Sequence, residues 1–314
     1  MPTKTIYFSK ARTALKYGLQ ALELKGQDII LVPDFICDSI FQPISQNSLN
    51  FLPYELSDDL SPNWSLLDLL ITKDVKAILM VHYFGQPQDI QKFSNFCKKH
   101  SIFLIEDNAH GHGGSVGGKE LGAFGDIGIS SPRKFSGKGA VLYLNKEQRH
   151  DFVSDLPCEK IESSNISLGS ILRWTPKIKH LLKRVIKKRP AYENPRAFRE
   201  GYYADYYLDN SSISAVKQTD WVKMGELRRK KYGELCEIAI RGGLQPVFKK
   251  VHGESNPWCF AAYTSNQKES IKWFEWGWKN DVEVYSWPSL REEQIQNNDL
   301  AFQRWKRILC FSTS

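Results

Sequence analysis

The sequence predicts an α/β protein with a mostly parallel central sheet covered by helices, followed by a smaller C-terminal α+β unit. Three observations predict it. Residues 29–33 (IILVP), 77–82 (AILMVH) and 102–106 (IFLIE) are short, unbroken apolar runs, the pattern of strands buried on both faces. Between them, Ala14, Leu15, Leu19 and Leu22, and then Ile90, Phe93 and Cys97, recur at helical spacing. The alternation of the two patterns is the β-α-β rhythm of a layered parallel sheet with right-handed crossovers.

The second half reads differently. From about residue 168, Ile178, Leu181, Leu182, Val185 and Ile186 form a helical stripe with basic residues on the other face, ended by Pro190. Residues 192–215 are polar and aromatic and read as a loop-rich connection. A long helix pattern starts at Trp221, and residues 282–285 (VEVY) read as a strand. Seven of the nine tryptophans lie beyond residue 215, so packing there differs from the first half. The chain of 314 residues fits a large unit, 1–214, and a small one, 215–314. Trp273, Trp276 and Trp278 cannot all share one helix face, so part of that cluster is structural.

Composition excludes several classes. Hydrophobic residues make up 41% and charged residues 25%, a globular balance. The formal net charge of +8 is partly local, because Lys177 to Arg189 holds seven Lys/Arg and no acid. A basic surface suits an anionic partner, but a solvated helix face is the plainer reading, and no nucleic acid partner is expected. The six cysteines are scattered without a C-x-x-C pair, which argues for reduced thiols rather than disulfides or zinc. No signal core opens the chain and no apolar run approaches a membrane span, so a cytoplasmic protein is expected.

Ligands of an open α/β sheet bind at the carboxyl ends of its strands, which directs attention to three segments. After the strand at 102–106 come Asp107-Asn-Ala-His110-Gly-His112-Gly-Gly. An acid there can face a pyridine nitrogen, share a metal with His110 and His112, precede a phosphate-binding glycine turn, or simply cap a turn. Next, Ser131-Pro-Arg-Lys134, in a turn bounded by Pro132 and Gly137, precedes a strand at 140–144. Ser131 at that distance can bind a phosphate while the Lys134 amine reaches an aldehyde carbon. Arg133 and Lys138 nearby would lower the proton affinity of that amine. The plain alternative is a basic surface loop. Finally, Ala11, Arg12 and Thr13 open the first helix, where free backbone N–H groups form an anion site. An ordinary N-cap by Ser9 or Thr13 is the alternative. Together the three segments form a pyridoxal phosphate (PLP) constellation more specific than any one of them.

These stretches resemble the DegT/DnrJ/StrS family of sugar aminotransferases, of the fold-type-I PLP class. Ala11-Arg-Thr-Ala-Leu15 is similar to the family's G-[RT]-x-A-L, and Leu31-Val-Pro-Asp-Phe-Ile-Cys37 to its V-P-x-Y-x-C. His82-Tyr-Phe-Gly-Gln-Pro87 is similar to its H-x-[YF]-G-x-P, and Ile105-Glu-Asp-Asn-Ala-His-Gly111 to its I-E-D-x-A-[QH]. Leu121-Gly-Ala-Phe-Gly-Asp126 precedes the lysine segment in the family's order, and the Ser-Pro-Arg-Lys form is similar to a shorter branch. The resemblance covers roughly residues 5–145, and is weak beyond apart from residues 284–288 and the arginine-rich helix near Arg228.

The resemblance implies a fold-type-I PLP-transferase-like architecture and a homodimer. It implies that Lys134 is the Schiff-base lysine, that Asp107 pairs with the pyridine nitrogen, and that His110 approaches the cofactor's phenolic oxygen. Ser131 and the backbone of Ala11, Arg12 and Thr13 would hold the phosphate. Three departures stand out. Ala11 replaces a usual Gly, and the chain stops soon after Cys310, where relatives continue. Cys37 stands where many members place an aromatic ring over the cofactor, with Phe35 or Tyr83 as substitutes. The expected activity is transamination from a donor such as glutamate to a keto group on a nucleotide-linked sugar, for polysaccharide or secondary metabolism. A lyase, a non-sugar aminotransferase and a non-catalytic scaffold are the alternatives.

Overall fold

The computed structural model describes residues 3–135, 138–146, 159–160, 194–196 and 205–314. The basic helix expected over 177–189, with Pro190, His150 and His180, lies outside them, as does Gly137.

Each apolar run forms a strand. The large sheet takes β1 (Lys4–Phe8), β2 (Ile29–Pro33), β3 (Asn50–Tyr54), β4 (Val75–Val81) and β5 (Phe103–Asn108). After a small hairpin, β6 (Ser115–Val116) and β7 (Lys119–Glu120), it continues with β8 (Ile127–Ser130), β9 (Ala140–Leu144), β10 (Glu159–Lys160) and β11 (Tyr206–Tyr207). Its order is β10-β11-β1-β9-β8-β5-β4-β2-β3. The strands β3, β2, β4, β5 and β8 are parallel neighbours, and β9 turns antiparallel to both β8 and β1. In β4 only Lys76 is exposed, which is why that strand reads as continuous rather than alternating.

The periodic segments between the strands are helices: α1 (Ala11–Ala21), α2 (Phe41–Gln46), α3 (Trp64–Leu69) and α4 (Ile90–His100). Asp89 caps α4 by accepting from the Lys92 N–H, and Lys98, Lys99 and His100 sit at its last turn, where cations suit the helix dipole.

Within the segment expected to be loop-rich, 192–215, the described residues include the start of a helix. The Asp209 carboxylate accepts from the Ser212 N–H at 2.9 Å and caps α5 (Asn210–Gln218). Asn and Ser read as turn residues in a sequence, but behind an acidic N-cap they open a helix here. Next, α6 (Trp221–Arg241) is the long helix the pattern predicts.

The small sheet has order β12-β13-β15-β14, from β12 (Gln245–Pro246), β13 (Cys259–Tyr263), β14 (Val284–Tyr285) and β15 (Ile308–Ser312). The strand expected over 282–285 is shorter, because the Val282 N–H bonds the Gly277 carbonyl at 2.9 Å and closes the end of α7 (Gln267–Lys279). Two short helices, α8 (Glu292–Gln296) and α9 (Leu300–Trp305), follow β14. Trp273 and Trp276 pack on the small unit's core, which gives that pair a structural role. The main core joins the two sheets: Cys259, Ala261, Ile308 and Cys310 join Ile78, Leu104 and Ile129 in one cluster. Among the described residues no helix is long and apolar enough to cross a membrane.

One buried carboxylate organises the centre. Glu106 on β5 is fully buried and accepts four hydrogen bonds. They come from the backbone N–H of Gly122 (2.6 Å), Phe124 (2.6 Å) and Gly125 (3.0 Å), and from His82 Nε2 (2.9 Å). His82 Nδ1 accepts the Gln88 N–H at 3.0 Å, so its proton sits on Nε2 and donates to Glu106. Burial alone would raise the Glu106 proton affinity, but the hydrogen bonds outweigh it and hold the carboxyl below its ordinary range. Gly122 has φ +106°, and a Cβ there would lie 2.7 Å from the Tyr143 ring, so only glycine brings its N–H to Glu106.

Glu106→Gln is predicted to destabilise the fold by about 2–4 kcal/mol at neutral pH, because an amide cannot accept from all four donors. A depressed folded-state pKa stabilises above the unfolded value of about 4.3 and loses that stabilisation as pH falls through the folded one. The gap between wild type and variant in thermal melts should therefore close in acid, and a gap independent of pH would contradict this.

Candidate active site

A cavity of about 520 Å³ opens at the carboxyl ends of β5 and β8, against the start of α1 and the face of the small sheet. Its volume lies within the range of small-molecule sites. Ala11, Arg12, Asp107, His110, Ser131 and Lys134 all line it; Thr13 does not, its side chain being buried beneath.

Asp107 follows Glu106 at the end of β5. Its Oδ1 accepts the Ala109 N–H at 2.8 Å, and its Oδ2 makes no hydrogen bond among the described residues. Burial raises the Asp107 proton affinity, while the Ala109 N–H, Lys134 and His82 oppose that rise. His110 stacks on Phe84, with the rings 5.8 Å apart and 7° from parallel. Its Nδ1 accepts the Phe84 N–H at 3.2 Å, which leaves the ring proton on Nε2. Burial, aided by the Lys134 charge, holds His110 neutral, well below its ordinary range. Gly85, beside Phe84, has φ +86°, and a Cβ there would lie 2.5 Å from the His110 carbonyl oxygen.

The two-histidine metal reading fails on geometry. His112 turns to Ser130 Oγ (2.8 Å) and meets Trp221 edge-on at 4.5 Å. Among the described residues no three His, Cys, Asp or Glu side chains gather as a metal set.

Ser131 precedes a 3-10 turn, Pro132–Lys134, of which Lys134 is the last residue. The Lys134 side chain lies with Nζ 4.0 Å from the centre of the Trp258 ring and makes no hydrogen bond among the described residues. Its proton affinity is lowered chiefly by burial; Cys37 and Asp107 raise it, and Arg133 lowers it further. The expected lowering is present, then, but with desolvation as the main cause. Lys138 is engaged elsewhere, donating to Ser212 Oγ at 3.1 Å.

The first turn of α1 has no side-chain cap. Its N-cap residue is Lys10, and neither Ser9 nor Thr13 serves as the cap. The helix ladder begins with the Ala14 N–H on the Lys10 carbonyl (3.2 Å), so the amides ahead of it stay outside the ladder. Lys10, Arg12 and Arg133 line the cavity at this end. Burial lowers the Lys10 amine to about 8, and the charges of Arg133 and Arg12 add to the effect. Amides without a side-chain cap beside crowded cations are a setting that suits an anion.

The sequence reading missed several lining residues: Lys10, Arg228, Trp258, Tyr285 and Trp287. The run 258–263 (WCFAAY) carried a strand signal that would have placed Trp258 at a strand start. Cys37 does line the cavity, but neither of its proposed substitutes does. Phe35 packs edge-on against Trp287, and the Tyr83 hydroxyl donates to the Phe35 carbonyl at 2.7 Å.

Residues 3–137 match the DegT/DnrJ/EryC1/StrS aminotransferase family. The chain is 29% identical over 166 residues to the GDP-perosamine synthase of Vibrio cholerae, covering 51% of this chain and 44% of that protein. It thus spans less than half the length of that relative. The GDP-perosamine synthase of Escherichia coli O157:H7 is 24% identical over 308 residues, 91% of this chain and 81% of that one. Among solved structures, Helicobacter pylori PseC, an aminotransferase involved in the biosynthesis of pseudoaminic acid, superposes with a TM-score of 0.67 at 13% identity. That match covers 98% of this chain and 81% of PseC. Spr1654 of Streptococcus pneumoniae in its PLP form gives 0.69 at 15% identity, over 99% and 82%. The fold is therefore that of these aminotransferases.

Sulfate, which does not titrate near neutrality, is predicted to bind at the α1 end. Because the folded-state value of Lys10 lies near 8, its charge is lost as pH rises through that value. Calorimetric affinity should weaken by about three- to tenfold between pH 7 and pH 9. Lys10→Met should flatten that dependence; a flat wild-type profile would contradict it.

Proposed function

We propose that this chain, whose residues 3–137 match the DegT/DnrJ/EryC1/StrS aminotransferase family, is a PLP-dependent aminotransferase. It takes an amino group from an amino-acid donor, glutamate first, and delivers it to a keto group on a nucleotide-linked sugar. The observation that carries this reading is one cavity holding the buried Lys134 amine, the open Oδ2 of Asp107, Ser131 and the uncapped start of α1.

These groups fit the cofactor in charge and type. When bound, PLP supplies an electron sink for a carbanion at the reacting carbon. Asp107 would hold a proton on the ring nitrogen, a cation that would relieve its raised proton affinity. His110, protonated on Nε2, would donate to the phenolic oxygen. Ser131, the first turn of α1, Lys10 and Arg133 would take the phosphate. Lys134 would hold the aldehyde carbon through Nζ, and burial, which lowers its proton affinity, would favour the neutral amine that can move a proton. The ring of Trp258 screens that amine from water.

The cavity lining includes Lys10, Arg12, Arg133, Lys134 and Arg228 against Asp107 and Glu283. A positive cavity of this kind suits a diphosphate-bearing acceptor, and the two bacterial relatives are named for a GDP-sugar product. The same reading includes a homodimer in the cytoplasm, acting in polysaccharide or secondary-metabolite biosynthesis.

Purified protein mixed with PLP is predicted to develop a visible absorption band that Lys134→Ala abolishes and that glutamate bleaches to the pyridoxamine form. A band that needs Lys134 but ignores every amino acid would contradict the aminotransferase assignment, and no band at all would contradict the cofactor.

A further inference from the structure

We propose that the face of the Trp258 ring is the resting place of the free Lys134 ammonium, a role whose chemical meaning rests on the aminotransferase reading. Lys134 Nζ lies 4.0 Å from the centre of that ring. A cation so placed is attracted by the negative face of the indole, the strongest of the aromatic platforms. No hydrogen bond reaches Nζ among the described residues, so the ring is the group that holds it.

The platform is itself fixed. Just ahead of β13, the Trp258 N–H donates to the Phe84 carbonyl at 3.0 Å, and the Trp258 carbonyl accepts the Thr313 hydroxyl at 2.9 Å. The rings of His110 and Tyr285 pack beside the indole, with centres 4.7 and 5.3 Å away. His110 is held neutral by burial, so it adds no positive charge next to the amine.

The charged and titratable neighbours do not replace the ring. Asp107 at the end of β5, Cys37 after β2 and Cys259 on β13 raise the proton affinity of the amine, while burial and Arg133 in its own turn lower it. They act at a distance. Asp107 Oδ1 accepts the Ala109 N–H, and Cys37 Sγ accepts the Ser39 hydroxyl at 3.3 Å. Lys10, Arg12, Arg228, Glu283 and Tyr285 line the same cavity.

Such a hold suits a lysine that has to let go. An ion pair with Asp107 would fix the amine firmly and occupy the oxygen meant for the cofactor's ring nitrogen. An aromatic face attracts the ammonium without taking up a carboxylate, and it has no pull on the neutral amine that reacts. The amine therefore waits in the cavity before the cofactor arrives, and returns to the same place whenever another amine has displaced it.

The test titrates Lys134 in the cofactor-free full-length chain. Trace acetic anhydride is applied across the neutral to alkaline range, and the labelling rate of Lys134 is read by peptide mass spectrometry. Relative to wild type, Trp258→Leu is predicted to lower the midpoint by about 0.5 to 1 on the pH scale, with Trp258→Phe between the two. A ring that merely kept water from the amine gives the opposite sign, because leucine admits water and hydration favours the charged form. Fluorinated tryptophan grown into the wild type keeps the ring's shape and weakens its negative face, so it should also lower the midpoint, and it should leave Trp258→Phe unmoved. A midpoint that rises or stays in Trp258→Leu, or that ignores fluorination of the wild type, overturns the assignment. The titration needs no cofactor, so a chain that behaves as predicted yet develops no visible band with PLP overturns the cofactor reading and leaves the platform in place.

Discussion

The hydrogen bonds around Glu106 constrain everything that faces the cavity. Successive residues of a strand point to opposite sides of a sheet. Glu106 is tied by its side chain to His82 and to the turn at 122–125 on one face, so Asp107 is directed to the other. The backbone reinforces this choice, with the His82 N–H bonding the Asp107 carbonyl at 2.9 Å. A one-residue slip of β5 would exchange the two acids, placing the four-donor turn opposite Asp107 and Glu106 in the cavity. The four hydrogen bonds satisfy Glu106, while Asp107 Oδ2 makes no hydrogen bond among the described residues.

Desolvation then sets the character of the cavity. Burial raises the proton affinity of Asp107 and lowers those of Lys134 and His110. All three move toward the neutral form, the general response of ionisable groups to a low-dielectric surround. Perturbed groups gathered in one concave site are the signature of a reaction centre. Residues after 215 contribute directly: the Trp258 ring lies 4.0 Å from Lys134 Nζ, and Arg228 and Tyr285 form part of the wall. Because one core joins the two sheets, those contributions are held by the same packing that holds the strands.

Much of the large sheet was legible because its strands are buried on both faces, and unbroken apolar runs such as 77–82 leave little ambiguity about type. Asp107 was legible for a related reason, since it follows a strand whose carboxyl end meets ligand; Ser131 and Lys134 were read from their mutual spacing ahead of the strand at 140–144. What escaped the sequence depends on contacts distant along the chain. Trp258 over Lys134 joins residues 124 positions apart, and Arg228 is held at the cavity wall by Phe135 and Thr313. The helix at Asn210–Gln218 was hidden by its polar first turn, which Asp209 makes into a cap. Ser9 and Thr13 look like caps, but the chain enters α1 through Lys10 instead and leaves the first-turn amides to the cavity.

The central claim is that Lys134 is the one lysine this fold prepares for the cofactor aldehyde. Borohydride reduction of the PLP-treated protein, followed by proteolysis and peptide mass spectrometry, tests it most directly. The account predicts a phosphopyridoxyl adduct on Lys134 at near one equivalent; an adduct on Lys10 or Lys138 instead, or label spread over surface lysines, would contradict it.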